Sequence, residues 1–122
     1  MKQTLCISLS LFIWSCSENN FNDSDLSTSF YENDQKKEEG YMKDEKKQGK
    51  WTAWYQNEQK WREGIFKDGA EDGKWSWWNE DGKKKIERTF KVGELITEKE
   101  WDKSGNLVKH RVRGKEGNLR QD

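Results

Sequence analysis

The sequence predicts an all-β protein, an antiparallel meander of repeated hairpins in one elongated single sheet, and three observations lead there. First, the chain repeats itself at a period of about 24 residues: 49–72 aligns on 73–96 without a gap. Nine positions are identical, namely Gly49/Gly73, Lys50/Lys74, Trp51/Trp75, Trp54/Trp78, Lys60/Lys84, Glu63/Glu87, Phe66/Phe90, Lys67/Lys91 and Gly69/Gly93. Residues 31–49 align on 55–73 with nine more identities, and WDKSG at 101–105 answers WNEDG at 78–82. Such a period is one supersecondary unit stacked several times, each copy needing its neighbours to bury its apolar side. Second, one slot in each copy carries a tight-turn pair: Asn33-Asp34, Asn57-Glu58, Asp81-Gly82 and Ser104-Gly105. Asp-Gly between aromatic and β-branched flanks is a hairpin signal, because both central residues of the favoured two-residue turn take positive φ. Third, glycine recurs too often for helix, and no stretch sustains a 3.6-residue apolar period.

Composition limits what this sheet can be. The 122 residues are 30% hydrophobic and 38% charged, which argues for a thin core and by itself for disorder. Sixteen Phe, Trp and Tyr argue the other way, so one small domain folds. Lys plus Arg equals Asp plus Glu at 23 each, with the signs interspersed, so nucleic acid is not an expected partner.

Taken in order, the first element is an address. MKQTLCISLSLFIWSC has one cation, Lys2, an apolar stretch from Leu5 to Trp14, and Ser15 directly before Cys16. A run of about ten apolar residues is half of what a membrane-spanning helix needs and suits a signal peptide over residues 1–15. Ile13-Trp14-Ser15-Cys16 resembles the bacterial lipoprotein box, which implies a lipid on the Cys16 thiol and cleavage before it. Cys6 leaves with the signal, so the mature chain keeps no thiol for a disulfide or a metal. Several acyl chains, at about 0.8 kcal/mol per buried methylene, hold a protein to a membrane durably. The expected location is the bacterial cell envelope, on the periplasmic or surface side, and Ser17 in place of Asp favours the outer membrane. Residues 16–30 then read as the lipidated Cys and a disordered tether, polar and poor in apolar side chains.

Residues 31–113 are the hairpin repeats, and 114–122 a polar tail. With two-residue turns at Asn57-Glu58 and Asp81-Gly82, Trp54 faces Trp61, Trp51 faces Gly64 and Trp77 faces Ile86, while Trp101 faces Val108 in the last copy. A flat ring at Trp51 could lie on the bare backbone of Gly64. Alternation then sorts the side chains. One face, the expected core, collects Trp51, Phe66, Trp75, Trp77, Ile86 and Phe90. The other collects Trp54, Trp61, Trp78 and Trp101, a candidate binding ridge with rings about 9.5 Å apart on alternate strands. Such a ridge could enter a protein partner or stack on a polysaccharide, or it could be covered by Lys stems such as Lys85.

These residues carry a family resemblance. GKWTAWYQNEQK, GKWSWWNEDGKK, IFKDG and TFKVG are similar to the pattern of the MORN repeat variant family, over about residues 31–108. Copy one lacks the leading Gly-Lys-Trp and copy four has lost it together with one residue, so the ends read as caps. The resemblance implies a binding or scaffolding module, in some relatives at membranes, with no enzymatic activity. It also brings an antitoxin-like label, and hence an immunity or toxin–antitoxin role as an alternative; a glycan-binding module is the second alternative.

Other chemistry is sparse. His110 has no nucleophile or acid in a recognisable arrangement with it, and the carboxylates form no nameable acid/base pair. The loop DGAEDG at 68–73 fits no established calcium spacing, and no phosphate-cradling glycine loop is present. The expectation is a protein that is not an enzyme and needs no cofactor or metal. Its partners would be the membrane, through the anchor, and an unidentified protein or an envelope polysaccharide.

Overall fold

The computed structural model describes residues 25–121. They form nine strands: β1 (Asp25–Phe30), β2 (Lys36–Lys43), β3 (Lys46–Trp54), β4 (Lys60–Lys67), β5 (Ala70–Trp78), β6 (Lys84–Lys91), β7 (Glu94–Trp101), β8 (Leu107–Arg113) and β9 (Leu119–Gln121). Strand order in the sheet follows the chain from β1 to β9, and each neighbouring pair is antiparallel. The all-β meander expected from the repeat is therefore the fold.

Its limits differ from the expected ones. The signal over 1–15, Cys16 and the tether as far as residue 24 lie outside the described residues. Residues 25–30, expected to belong to the tether, are instead β1, paired with β2 from Asp25↔Met42 to Phe30↔Lys36. Leu26, Thr28 and Phe30 alternate in the sequence DLSTSF, a strand pattern hidden by its low apolar content. The tail over 114–122 contains β9, which adds a last hairpin against β8.

The turns are distributed opposite to expectation. Asn57-Glu58 and Asp81-Gly82 do not form two-residue turns. In each case the Glu58 or Gly82 N–H donates to the carbonyl of Tyr55 or Asn79, giving a three-residue loop whose last member alone has positive φ. Asp34, Gly105 and Gly117 hold the same place in the other loops of this kind. This is the β-turn followed by a left-handed residue that commonly closes three-residue hairpins. The two-residue turns with both central φ positive are instead Asp44-Glu45, Asp68-Gly69 and Val92-Gly93.

Two departures in register offset one another. Four of the five three-residue loops are followed by a bulge in the second strand, at Lys37, Trp61, Lys85 and Val108, and the last, before β9, is not. The extra loop residue and the extra strand residue together restore the expected pairing, so Trp51↔Gly64 and Trp77↔Ile86 stand. Next to the loops they do not: Trp54 faces Lys60 in place of Trp61, and Trp101 faces Leu107 in place of Val108. A bulge takes one residue out of the ladder, which a two-residue turn would have left in it.

The core is small and set in the middle strands. Trp75 is 1% exposed, Trp51 4% and Ala53 3%. Phe66 stands edge-on to both indoles, 6.2 Å from Trp51 and 4.9 Å from Trp75, and Trp77 lies 5.8 Å from Trp75. Phe66, Trp77, Ile86 and Phe90 are half-buried on this side. Each buried indole donates its N–H across the sheet, Trp51 to the Tyr41 carbonyl and Trp75 to the Ile65 carbonyl, both at 3.0 Å. That satisfies the one polar atom that burial would otherwise strand. The ring over Gly64 is that of Trp75, and Trp51 lies instead over Gly40. Gly64 pairs with Trp51 on one edge, but the indole that covers it comes from the strand on its other edge.

Candidate functional site

The 24-residue period carries the site as well as the core. Because Trp54 follows Trp51 by three residues along β3, it emerges on the opposite face, and Trp78 and Trp101 repeat that position on β5 and β7. Between them come lysines. Trp54 pairs with Lys60, Trp78 with Lys84, and Trp101 with Leu107. Each lysine also reaches the ring on its other side: Lys60 Nζ is 5.5 Å from the Trp78 ring centroid, Lys84 Nζ 5.6 Å from Trp101, and Lys36 Nζ 5.9 Å from Trp54. Phe30, one period before Trp54, pairs with Lys36 and begins the row. The row thus runs Phe30, Lys36, Trp54, Lys60, Trp78, Lys84, Trp101, Leu107, crossing eight strands.

Its three indoles are half-buried, whereas Phe30 and Leu107 at its ends are exposed. The fourth expected ridge member, Trp61, does not join it. As the bulge residue it sits beside the loop, 6.3 Å from the Tyr55 ring and with the Arg62 guanidinium 4.9 Å away. Nor is Lys85 the covering lysine; it is the bulge residue of the next hairpin, and Lys84 takes that part.

A second row runs alongside on the same face, two residue pairs further from the loops. Glu39, Glu63 and Glu87 recur one period apart, and each meets the lysine three residues before it: Lys36–Glu39 at 2.6 Å, Lys60–Glu63 at 2.8 Å and Lys84–Glu87 at 2.8 Å. Lys50 and Lys74 approach Glu63 and Glu87 from the neighbouring strand at 3.3 Å. Thr28 and Thr52 donate hydroxyls to Glu39 and Glu63. Partial burial acts to raise the carboxyl groups of Glu63 and Glu87, but the lysines outweigh it and hold both below their ordinary value. For Glu39 the hydrogen bond from Lys36 leads, in the same direction. Lysines 36, 60 and 84, and glutamates 39, 63 and 87, were legible as identities under the 24-residue shift; their meeting with the indoles required the bulges.

Two clefts of ≈ 240 Å³ open along these rows. One is lined by Lys36, Trp54 and Glu58, and the other by Lys50, Glu63, Gly64, Ile65, Lys74, Ser76 and Trp78. Ile65 in the second cleft, and Leu26 and Tyr41 beyond the clefts, are exposed apolar side chains.

The far half of the opposite face is built differently. One period after Gly40 and Gly64 stands Arg88, and one period after Trp51 and Trp75 stands Lys99, so the indole-on-glycine contact is lost there. Glu98, 2% exposed, takes its place. It accepts from Arg88 Nε at 2.7 Å, Arg111 at 2.5 Å and Lys109 at 2.9 Å. Burial acts to raise this carboxyl, and the three cations overcome it and hold it at about 2. Arg88 also stands 5.3 Å from the Trp77 ring, joining the aromatic half of the face to the ionic half. Among the described residues no group of three or more His, Cys, Asp or Glu is placed to hold a metal ion. His110 pairs with Lys99 on β7, in the second row.

Comparison with known families gives one match: residues 26–44 and 71–91 fit the MORN repeat variant. Those segments begin in β1 and β5 and close in a two-residue turn or at the end of β6, so the match falls on the hairpin units. The curated proteins give no match. The solved structures give none either.

Proposed function

We propose that this chain is a non-catalytic repeat module that binds a partner at a bacterial membrane, to which lipid on Cys16 anchors it. MORN repeats are in general protein- and membrane-binding modules, and two segments here match the repeat variant. The observation that carries the reading is the single open sheet. Nine strands in a plain meander leave two long faces. Such a surface suits recognition along its length, as in other stacked-repeat proteins. An immunity or antitoxin role is the special case in which the partner is a toxin occluded by this surface; the exposed Leu26, Tyr41 and Ile65 favour a protein partner of that kind. The anchor rests on Ser15-Cys16 at the end of a short apolar run.

Two measurements test this. Metabolic labelling with a fatty acid should mark the native chain and leave Cys16→Ala unlabelled; equal labelling rejects the anchor. Affinity capture from detergent-solubilised envelope should retain a defined partner, and loss of retention on Tyr41→Ser with Ile65→Ser should leave the sheet folded by circular dichroism. A folded chain that retains nothing rejects the module.

A further inference from the structure

We infer that the face bearing Trp54, Trp78 and Trp101 binds an acidic polysaccharide laid across the strands; this rests on the binding-module reading and names the chemistry of one partner. Charge is the first argument. The chain as a whole is neutral, yet on this strip five ammonium groups, those of Lys36, Lys50, Lys60, Lys74 and Lys84, share the three carboxylates of Glu39, Glu63 and Glu87. Two positive charges are left over among these groups, and Glu58, which lines the Trp54 cleft, offsets one of them. On the other face Glu38 and Glu98 are also outnumbered by their cations, Arg62 and Lys47 or Arg88, Lys109 and Arg111, but none of those side chains is more than 35% exposed.

Which lysines are available follows from their exposure. Lys50 and Lys74 have side chains 66% and 65% exposed and reach their glutamates at 3.3 Å, the longest contacts of the five. Exposed pairs of this sort contribute little to folding, so an incoming carboxylate or phosphate can replace the glutamate at small cost. Lys36, Lys60 and Lys84 are held more closely, between a glutamate and a ring.

Ring chemistry is the second argument. The indoles recur on alternate strands, about 9.5 Å apart. A linear chain of sugar rings offers apolar ring faces at regular intervals, each able to stack on an indole once the lysine over that ring, 5.5, 5.6 or 5.9 Å from its centroid, swings aside to meet the anionic substituent. The Trp54 and Trp78 clefts each set an indole beside lysine, Lys36 in one and Lys50 and Lys74 in the other, although the rest of their linings differ. Binding a polymer at linked subsites multiplies weak single contacts into useful affinity. A flexible acidic peptide would satisfy the lysines but present no such periodic ring faces.

The test is a titration of the full chain, reconstituted in phosphatidylcholine vesicles, followed by tryptophan fluorescence. The probes are polygalacturonate, neutral dextran, polyglutamate and phosphatidylglycerol vesicles. Polygalacturonate should give a saturable change that weakens about tenfold or more between 0.05 and 0.5 M salt, as screening requires. Lys50→Gln with Lys74→Gln should weaken it to a similar degree, and Trp54→Leu with Trp78→Leu should abolish the fluorescence change, with the thermal transition retained. Dextran should be silent. Equal response to polyglutamate or to vesicles would overturn the polysaccharide assignment in favour of an acidic protein or a lipid headgroup, and no response from a folded chain would overturn the site altogether. Retention of an envelope protein by the Lys50→Gln/Lys74→Gln chain would show the module reading surviving the failure of this one.

Discussion

The indole of Trp75 lies so close over Gly64 that a Cβ at that position would stand 2.0 Å from its Cδ2 and 2.3 Å from its Cε2. No side chain fits there, and the neighbouring atoms belong to the most buried residue of the sheet, with no room to retreat. Gly64→Ala is expected to destabilise the fold by about 3 kcal/mol, at the upper end for overpacking. Gly40→Ala, under Trp51, should act in the same way. Urea unfolding followed by tryptophan fluorescence measures both, and a loss under about 0.5 kcal/mol, the range of an ordinary surface substitution, would mean that these rings do not press on the backbone.

Val92 offers a change in the other direction. It has φ 46° in the two-residue turn between β6 and β7, where the equivalent positions hold Asp44 and Asp68, and it is 62% exposed. A β-branched residue in the left-handed region is strained, at roughly 1–2 kcal/mol, and here no buried contact offsets the strain. Val92→Asp should therefore raise stability by about 1 kcal/mol. A melting temperature that is unchanged or lower would contradict the turn geometry.

Much of this fold was legible because the repeat and the alternation of side chains are properties of sequence alone. A 24-residue self-match with aromatic residues at fixed offsets leaves few alternatives to stacked hairpins, and Trp51, Phe66 and Trp75 come together as alternation requires. What was not legible was the parity of each turn. Glu58 and Asp34 take positive φ although neither is glycine, and a bulge at Trp61 leaves no compositional trace. Hence Trp61 was set opposite Trp54, and the lysines that cover the indoles were not identified. Gly64 was placed under the wrong ring for a related reason: it has two neighbours in the sheet, and only side-chain direction decides which indole covers it. Glu98 was missed because a buried carboxylate looks like any other in a chain so rich in charge; the signal was the replacement of glycine and tryptophan by Arg88 and Lys99 in the third period.

Tyr55 ties successive units together. Its hydroxyl donates to the Trp78 carbonyl at 2.8 Å, as Tyr31 does to Trp54 at 2.7 Å one period earlier. Tyr55→Phe should cost about 1 kcal/mol, the usual net value of one such bond. Burial, with Glu80 and Tyr31 nearby, raises the Tyr55 phenol above its ordinary value. A raised phenol favours folding below pH 10 and that contribution fades as pH rises past it, since the unfolded chain ionises first. Stability measured above pH 10 should fall more steeply in the native chain than in Tyr55→Phe, and parallel curves would exclude the effect.

At the acid end Glu98 governs. Its carboxyl is depressed from 4.5 to about 2, so the folded state holds fewer protons than the unfolded one between those values. The resulting stability is fully present above about pH 4.5 and is lost as pH falls toward 2, on the order of 3 kcal/mol in all. Replacing Glu98 by Gln leaves Arg88, Lys109 and Arg111 around a neutral group, and removal of one partner from a buried ionic cluster costs about 3–5 kcal/mol. Glu98→Gln should therefore unfold more readily at pH 7 and show a shallower decline of stability between pH 4.5 and 2. The residual slope belongs to Glu38, Glu39, Glu63 and Glu87, whose carboxyl groups are lowered in the same direction. Chemical denaturation across that pH range measures both quantities, and an unaltered slope in Glu98→Gln would show that the cluster does not hold its carboxylate ionised.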